Sequence, residues 1–569
     1  MSVFSRLFIR PDAHTGRTGH PFMFDLTSDD AKHLVVDDLR KLIVIDQDRR
    51  SDVVIQNFLA DHLAKHQVLY TVDWVPFSDI PKRREGIRLR GAASNAGKEI
   101  DNTVRNRAIA ILRTAAQCRA SDVHILLRPD HAEIQFRIKK SLMIYREVSA
   151  TDGELLLNAN QRICTSGDNM PKPRETQDGG ISGAVLDGTG LENVRMVRSP
   201  CYGGQYMALR LQYREKSRGS GTLPADVVLR ECYRPEGQLD LEGYGFTTDQ
   251  IDRLLYIVSQ PNGVLMATGP VGSGKTTLMF KLLEWLARAD PSKRVVSIEQ
   301  PVEYPMPWAI QMEITNSLSA AEAGKRAQEY LRYSLRMDPD ILMTAEIRDA
   351  ETALTTIMAA QTGRRVITTF HIACAFEFAL RLQNMDYERL SPNVTCNSAV
   401  FRGIVAQRLV PVLCTHCKTP WPFDGTDEAA EKVGMPRRAA EAFASWGDRA
   451  KVRMRRPGGC SHCQFTGYES VTAVAEVVET DEELMNDLIQ HGVSIARRRF
   501  RSRPGADTSM VEKAIERALA GLLDPSTILK EIDRIPPRDE VERERKIGRA
   551  ERSKAAAQAQ AIASPEGRG

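Results

Sequence analysis

The chain has 569 residues, a length that corresponds to about three or four domains. Its 78 basic and 74 acidic residues leave a formal net charge of +4, so bulk charge gives no argument for a nucleic-acid or membrane partner. No apolar run approaches the roughly 18–20 residues of a membrane span, and the first residues lack the apolar core of a signal peptide. We therefore expect a cytoplasmic protein.

Residues 1–98 are predicted to form an N-terminal accessory domain. Residues 42–45 have the pattern of a short apolar strand, and 52–63 have the spacing of an amphipathic helix. The histidines here match no metal-binding motif, so we expect them to be solvated or hydrogen-bonded. The small residues at 91–97 predict a linker to the next domain.

Residues 99–235 have the pattern of a compact α+β domain. A helical pattern over 102–118 is followed by two strand-like segments, 121–127 and 133–138. Several arginines fall on strand-like segments of this domain, among them Arg195 and Arg210. On pattern alone, a surface charge and a functional role remain equally open for each of them.

Residues 236–410 alternate strand and helix, which is typical of a parallel sheet covered by helices. One loop has the pattern G-x-x-x-x-G-K-T and stands between an apolar strand and a helix. The backbone N–H groups of such a loop can surround phosphate oxygens, its lysine reaches the β- and γ-phosphates, and the next hydroxyl can bind Mg²⁺. The candidate nucleotide-binding residues are Gly269, Pro270, Val271, Gly272, Ser273, Gly274, Lys275, Thr276 and Thr277, with Thr276 also the candidate magnesium ligand.

Three other apolar strands of this segment end in polar side chains. They end at Glu299, Glu346 and His371. In a parallel sheet, ligands gather at the carboxyl ends of the strands. An ordinary polar strand end would explain one such residue, but three in one domain favour a shared site.

Residues 411–470 contain two C-x-x-C pairs separated by about forty residues. Four thiolates in two tight turns can complete a tetrahedral Zn²⁺ site. A redox pair or a coincidence is the alternative, because the separation exceeds the commonest finger spacing. The candidate metal ligands are Cys414, Cys417, Cys460 and Cys463.

The remaining chain is predicted to be helical and then charged. Residues 471–534 are interpreted as a C-terminal helical part of the P-loop domain, with a helix over 510–523 and a second one after Asp524. Residues 535–569 are rich in Arg, Glu, Lys and Ala. We expect a disordered tail there, with a solvated helix or a partner-binding helix as alternatives.

Taken together, these motifs resemble those of the secretion ATPase superfamily, the motors of type II secretion and type IV pilus assembly. The resemblance covers about 102–533. Residues 120–124 (A-S-D-V-H) resemble the opening of the family's PAS-like module, and 335–349 resemble its Walker B segment. Residues 297–304 are similar to its Asp box, and 362–371 to its His box. The four cysteines resemble those of the assembly and export branch.

Several positions depart from the family pattern. Gln300 stands where the Asp box has an aspartate, and Arg364 stands where the His box has its first histidine. Neither departure removes Lys275 or Glu346. The resemblance therefore implies a divergent but active enzyme, with an inactive relative as the main alternative.

The implied fold is α/β: a RecA-like P-loop ATPase core, preceded by a PAS-like α+β domain and carrying a zinc-binding insert. The implied function is a homohexameric ATPase motor for type IV pilus assembly or for type II or related secretion, with ATP, Mg²⁺ and Zn²⁺ as its cofactors. We expect it in the cytoplasm, peripheral at the inner membrane and acting through a platform protein there, without direct nucleic-acid contact. A plasmid-borne pilus or conjugation system is one setting, and a non-hydrolysing scaffold or a conjugative DNA-transfer ATPase are the alternatives.

The resemblance also implies roles for single residues. Glu346 would orient or deprotonate the attacking water, and Glu299 and Glu303 would support the metal and the water. His371 would sense the γ-phosphate. The arginines of the PAS-like module would neutralise charge on the phosphates, which gives Arg195 and Arg210 a function.

Overall fold

The computed structural model describes residues 32–37, 41–66, 70–84, 95–214, 223–314, 319–344 and 346–563. The chain divides into two compact units at the bond between Arg107 and Ala108. Among the described residues, no helix combines the length and the apolar composition that crossing a bilayer requires.

The first unit is built on a three-stranded sheet. Its elements are β1 Leu34–Asp37, β2 Leu42–Asp46, α1 Val53–His66 and β3 Thr71–Val75, followed by α2 Asn95–Gln117, which begins in this unit. Strand β2 pairs antiparallel with β1 and parallel with β3. Ile43, Ile45 and Ile55 are fully buried between the sheet and the helix, as the predicted strand and helix require. Of the predicted linker over 91–97, residues up to 94 lie outside the described residues.

An antiparallel sheet forms the first part of the second unit. Its elements are β4 Asp122–Leu127, β5 His131–Ile138, β6 Ser141–Ser149, α3 Ala150–Arg162, β7 Ser166–Gly167, β8 Gln177–Ser182, β9 Leu191–Cys201, β10 Gly204–Tyr213 and β11 Arg230–Glu231. The strand order is β11-β6-β5-β4-β10-β9-β8-β7. The two predicted strands are confirmed as the neighbours β4 and β5. We call this part, residues 122–231, the arginine module.

A seven-stranded, mostly parallel sheet follows. Its elements are α4 Thr248–Ser259, β12 Gly263–Thr268, α5 Lys275–Ala289, β13 Val295–Glu299, β14 Ala309–Glu313, α6 Ala320–Ser334, β15 Ile341–Thr344, α7 Ala350–Gln361, β16 Arg365–Phe370, α8 Phe378–Gln383, α9 Pro392–Thr395 and β17 Phe401–Leu413, with the last strand β20 Tyr468–Glu479. The order is β14-β13-β15-β16-β12-β17-β20, and β20 alone of these strands runs antiparallel to its neighbour. The predicted α/β sheet is therefore present. Every residue of β12 is buried, so helices cover both faces of the strand that leads into the glycine-rich loop.

The cysteine-bearing segment is an insert between β17 and β20. It contains β18 Thr419–Pro420, α10 Asp427–Lys432, α11 Arg437–Ala444 and β19 Arg453–Met454. Strands β17 and β20 pair over most of their length, from Gly403 opposite Glu479 to Leu413 opposite Tyr468. Because Cys414 follows one strand end and Cys463 precedes the other, this pairing brings the two C-x-x-C turns together.

The last part of the described chain, residues 482–563, contains the helices α12 Glu482–Arg501, α13 Met510–Leu519, α14 Pro525–Glu531 and α15 Arg538–Ala563. The prediction of a disordered tail is wrong for residues 538–563. Glu551 of α15 pairs with Arg498 at 2.8 Å, and Arg545 pairs with Glu512 at 2.6 Å. Gly548 is buried where α15 crosses α12. Ion pairs and one close helix crossing thus order a segment that has few apolar side chains.

Candidate active site

The glycine-rich loop joins the carboxyl end of β12 to the first turn of α5. Gly272 and Gly274 have φ values of 77° and 84°, a left-handed conformation that glycine adopts without strain. Val271 at the tip is exposed, whereas Ser273 is buried. Backbone N–H groups at the start of α5 lack partners within the helix, which makes this end of α5 suited to phosphate.

Lys275 is bound to its own loop. Its Nζ donates to the carbonyl oxygens of Gly269 at 3.0 Å and Pro270 at 2.8 Å. The residue is only 8% exposed. Burial lowers the pKa of its ammonium, and the nearby Glu346 carboxylate opposes that shift. The ammonium group of Lys275 is therefore largely shielded from solvent, so its attraction for a phosphate would be strong.

Gln407 supports the loop from the neighbouring strand β17. Its side-chain nitrogen donates to the carbonyl oxygen of Ser273 at 2.6 Å. A Cβ atom on Gly269 would lie 2.5 Å from the backbone oxygen of Gln407, so position 269 requires glycine. No motif of the sequence assigns this role to Gln407. Its contact with the loop depends on the adjacency of β12 and β17, which spacing does not reveal.

Thr276 and Thr277 occupy the first turn of α5. Thr276, the candidate magnesium ligand, is half-buried there. The Thr277 hydroxyl lies 3.1 Å from the Tyr304 hydroxyl, and the Tyr304 ring stacks on Phe280 at 4.8 Å between centroids. The segment after β13 is thus packed on the helix that follows the loop.

Glu346 and His371 lie together at the carboxyl edge of the sheet. They follow the adjacent strands β15 and β16, and His371 Nε2 is 3.3 Å from Glu346 Oε1. The other carboxylate oxygen of Glu346 accepts from Arg348 Nε at 2.5 Å. Since β16 is also the neighbour of β12, this edge gathers Glu346, His371 and Lys275.

Glu299 ends β13 at the same edge but points inward. Its Oε1 accepts from Ser297 Oγ at 2.5 Å and from Gln311 Nε2 at 2.9 Å. Burial raises the pKa of its carboxyl, against these hydrogen bonds and a further one from the backbone N–H of Glu303. Glu303 itself is exposed.

Arg195 and Arg210 belong to the arginine module. They lie near the amino ends of the parallel strands, opposite to the carboxyl ends where Glu346 and His371 lie. They are cross-strand partners on β9 and β10, and they line a cavity of about 340 Å³ together with Asp178, Leu335 and Arg336. Leu335 and Arg336 precede β15, so this cavity lies at its amino end, whereas the glycine-rich loop follows the carboxyl end of the parallel strand β12. The role of these arginines at the phosphates stays a prediction, and in this conformation they lie away from the glycine-rich loop of the same chain.

Asp338 holds the arginine module on this amino edge. Its carboxylate accepts from Arg210 Nη2 at 3.0 Å and from Arg137 Nε, and His124 Nε2 lies 3.6 Å away. The Tyr206 hydroxyl donates to the carbonyl oxygen of Met337 at 3.0 Å. These contacts explain why Arg210 points away from the loop.

Arg364 also lies at the amino edge, directly before β16. It donates to Thr362 Oγ1 at 2.6 Å and to the carbonyl oxygen of Leu335 at 3.1 Å. Arg364 and His371 lie at opposite ends of β16. The replacement of the first histidine of the His box by Arg364 therefore lies away from the carboxyl edge that carries His371.

The four cysteines form a compact sulfur cluster. Their Sγ atoms all lie within 4.8 Å of one another. The Sγ–Sγ distance is 3.9 Å between Cys414 and Cys460, and 3.8 Å both between Cys417 and Cys463 and between Cys460 and Cys463. Zn–S bonds of about 2.3 Å in a tetrahedron require sulfur separations of about 3.8 Å, so the donor set fits Zn²⁺. The backbone N–H groups of Cys460 and Gly467 donate to Cys463 Sγ at 3.1 and 3.2 Å, which stabilises a thiolate. The rings of His416 and His462 contact each other outside the cluster, with 3.8 Å between their centroids and an interplanar angle of 32°.

A glycine-rich loop between a buried parallel strand and a helix, with acids at nearby strand ends, defines a P-loop nucleotide-binding protein of the α/β class. Residues 98–534 match the family model for the type II/IV secretion system protein. The chain belongs to this family of secretion ATPases.

Relatives from several bacteria share most of this chain. It is 30% identical over 391 residues to type II secretion system protein E of Dickeya dadantii, covering 68% of this chain and 67% of that protein. It is 30% identical over 428 residues to type II secretion system protein HxcR of Pseudomonas aeruginosa, covering 75% and 76%. It is 29% identical over 437 residues to the type IV pilus assembly ATPase PilB of Thermus thermophilus, covering 76% of this chain but only 43% of that protein.

Proposed function

We propose that the protein is an ATPase motor that hydrolyses ATP to power type IV pilus assembly or type II or related protein secretion. The observation that carries the proposal is the convergence of Lys275 and Glu346 at one edge of the sheet, in a chain of the secretion ATPase family. A cation aimed at phosphate and a carboxylate able to orient water are the two groups that phosphoryl transfer to water requires.

The loop N–H groups and Lys275 bind the β- and γ-phosphates, and the Thr276 hydroxyl binds Mg²⁺. Mg²⁺ supplies charge neutralisation at the phosphate oxygens when it is bound. Glu346 orients the attacking water, and His371, 3.3 Å from it, responds to the γ-phosphate. Glu303, which is exposed, would help to hold the metal and the water, whereas Glu299 supports the site through its hydrogen bond with the backbone of Glu303.

Arg195 and Arg210 are proposed to neutralise charge on the phosphates. Because they lie at the amino edge of the sheet, this role requires the arginine module to move relative to the parallel sheet or to face the loop of a neighbouring chain. The Pro- and Gly-containing segment 232–237 is the proposed hinge. Such a movement has to break the contacts of Arg210 and Arg137 with Asp338.

We also propose the wider setting that the family resemblance implies. The core is RecA-like, the arginine module is PAS-like, and the chain assembles as a homohexamer in the cytoplasm. The ring acts at the inner membrane on a platform protein, with no direct nucleic-acid contact. The cysteine cluster binds one structural Zn²⁺, which ties the insert to strands β17 and β20.

Steady-state ATPase assays of the wild type, Lys275→Ala and Glu346→Gln test the proposal. We expect turnover that requires Mg²⁺ and falls by at least about 100-fold in both variants. Glu346→Gln is expected to retain nucleotide binding, since the residue does not contact the phosphates in this scheme. Wild-type rates in both variants, or an inactive wild-type ring, would contradict the proposed activity.

A further inference from the structure

We infer that Arg348 is a positioning residue that fixes the orientation of the Glu346 carboxylate, and that Gln300 holds Arg348 in place. This inference rests on the proposed ATPase function. Arg348 Nε donates to Glu346 Oε2 at 2.5 Å, and Arg348 Nη1 donates to Gln300 Oε1 at 3.3 Å. One guanidinium thus bridges Glu346, the second residue after β15, and Gln300, the residue after β13.

The bridge has a defined place in the fold. Strands β13 and β15 are parallel neighbours, so Gln300 and Glu346 leave the same edge of the sheet. The three side chains line a small cleft of about 50 Å³ whose walls include Ile298 and Leu331. The cleft brings the three side chains together, and the guanidinium reaches both oxygen acceptors while it stays open to solvent.

A carboxylate needs such a partner to have a fixed orientation. The terminal torsion of a glutamate is broad, so Glu346 alone would present either oxygen in many directions. Arg348 takes Oε2 and leaves Oε1 on the side of His371. A misplacement of about 1 Å at a reacting group can reduce a rate by about 100-fold. The orientation of Glu346 is therefore a property that the reaction requires.

The chemistry of Gln300 suits this arrangement because its amide is neutral. The amide oxygen accepts from Nη1 without attracting the whole guanidinium. A carboxylate at position 300 would compete for Arg348 as a charge-assisted, bidentate partner and would weaken the bond to Glu346. The glutamine at this departure from the family pattern thus contributes to the active arrangement.

Arg348 is suited to a mutational test because it contributes little to folding. Its side chain is 58% exposed, and ion pairs at that exposure contribute little to stability. A loss of activity on its replacement therefore reports on Glu346 and not on the fold. Arg389 offers a matched control, since it is 51% exposed and pairs with Glu351 at 2.8 Å, away from Glu346.

The test measures kcat and KM for ATP in the full chain for Arg348→Met, Arg348→Lys, Gln300→Glu, the double variant Arg348→Met/Gln300→Glu and Arg389→Met. We expect Arg348→Met to lower kcat by about 10- to 50-fold with KM unchanged within about two-fold, because Arg348 does not touch the phosphates. Lysine keeps the charge but not the fork, so Arg348→Lys restores only part of kcat. Gln300→Glu, which is isosteric, lowers kcat by about 3- to 10-fold in the wild-type background and has no further effect once Arg348 is methionine.

Three results would overturn the inference. The first is a kcat for Arg348→Met within two-fold of the wild type. The second is an equal effect of Gln300→Glu with and without Arg348, since Gln300 would then not act through the arginine. The third is an equal loss in Arg389→Met, which would indicate a general effect of removing a surface arginine. A wild-type protein without ATP turnover would instead overturn the proposed function, and the inference with it.

Discussion

Replacement of Asp338 by asparagine tests whether one carboxylate holds the arginine module on the amino edge of the sheet. The side chain is 17% exposed and faces Arg137, Arg210 and His124. Asparagine keeps the shape and removes the charge. We expect the contact between the module and the parallel sheet to open more often, while each part stays folded.

The magnitude follows from the titration of Asp338. Burial alone raises the pKa of this carboxyl, but His124, Arg137 and Arg210 outweigh burial and lower it from 3.8 to about 2. At about 1.4 kcal/mol per pKa unit, the difference corresponds to about 2.5 kcal/mol. Because the folded-state pKa lies below the unfolded value, this stabilisation is complete above about pH 4 and disappears as the pH falls through about 2.

Hydrogen–deuterium exchange over residues 331–340 and 204–213 measures the opening. We expect the opening free energy at about pH 7 to fall by about 2–3 kcal/mol in Asp338→Asn, and the difference between the proteins to narrow towards about pH 3. Asp178→Asn is the control, because Asp178 and Arg336 pair at 2.8 Å with both side chains about half exposed, and such a pair contributes at most about 1 kcal/mol. A difference below about 0.5 kcal/mol at neutral pH, or one that does not change with pH, would refute the reasoning.

Two further predictions concern the insert and the tail. Elemental analysis should find about one zinc per chain in the wild type and much less in Cys460→Ser, and proteolysis of residues 411–470 should be faster in that variant. Cys232→Ser is the control and should retain the metal, because Cys232 lies outside the cluster. A full zinc content in Cys460→Ser would contradict the proposed zinc site. Gly548→Leu should lift α15 from α12, because a Cβ atom at 548 would lie 2.6 Å from the carbonyl oxygen of Arg498, and trypsin should then cleave within 538–563 faster than in the wild type. Gly324→Ala is the control for that variant, since a Cβ atom at position 324 meets no atom within 4 Å. A cleavage rate of residues 538–563 in Gly548→Leu equal to that of the wild type would show that the helix crossing does not hold the tail.

The sequence could predict the glycine-rich loop and the polar residues at the strand ends, because short-range residue patterns determine both. The loop before Lys275 needs particular residues at fixed offsets, and the strand that precedes it is an uninterrupted apolar run. The positions of Glu346 and His371 followed from the rule that parallel strands present their carboxyl ends to one edge. The four cysteines came together because two paired strands, β17 and β20, end at them.

The parts that sequence could not predict depend on which surfaces pack together. The pairing of β9 with β10 is a local hairpin, but its placement at the amino edge depends on Tyr206 and Arg210 meeting Met337 and Asp338 from more than 120 residues away. The same holds for Gln407, whose contact with the loop requires β17 to lie beside β12. The composition of residues 538–563 did not predict an ordered helix, because the residues that pair with it lie on α12 and α13.

Strand β15 connects the two edges of the sheet that the proposed motor has to link. Asp338, which holds the arginine module, lies three residues before the strand, and Glu346 lies two residues after it. The strand has four residues, a length of about 13 Å at about 3.3 Å per residue, and all four are buried between parallel neighbours. Because the strand is short and buried, we expect a displacement at Asp338 to reach the segment that bears Glu346 and Arg348. In the proposed motor, movement of the arginine module away from Asp338 and orientation of the Glu346 carboxylate would thus be coupled through β15.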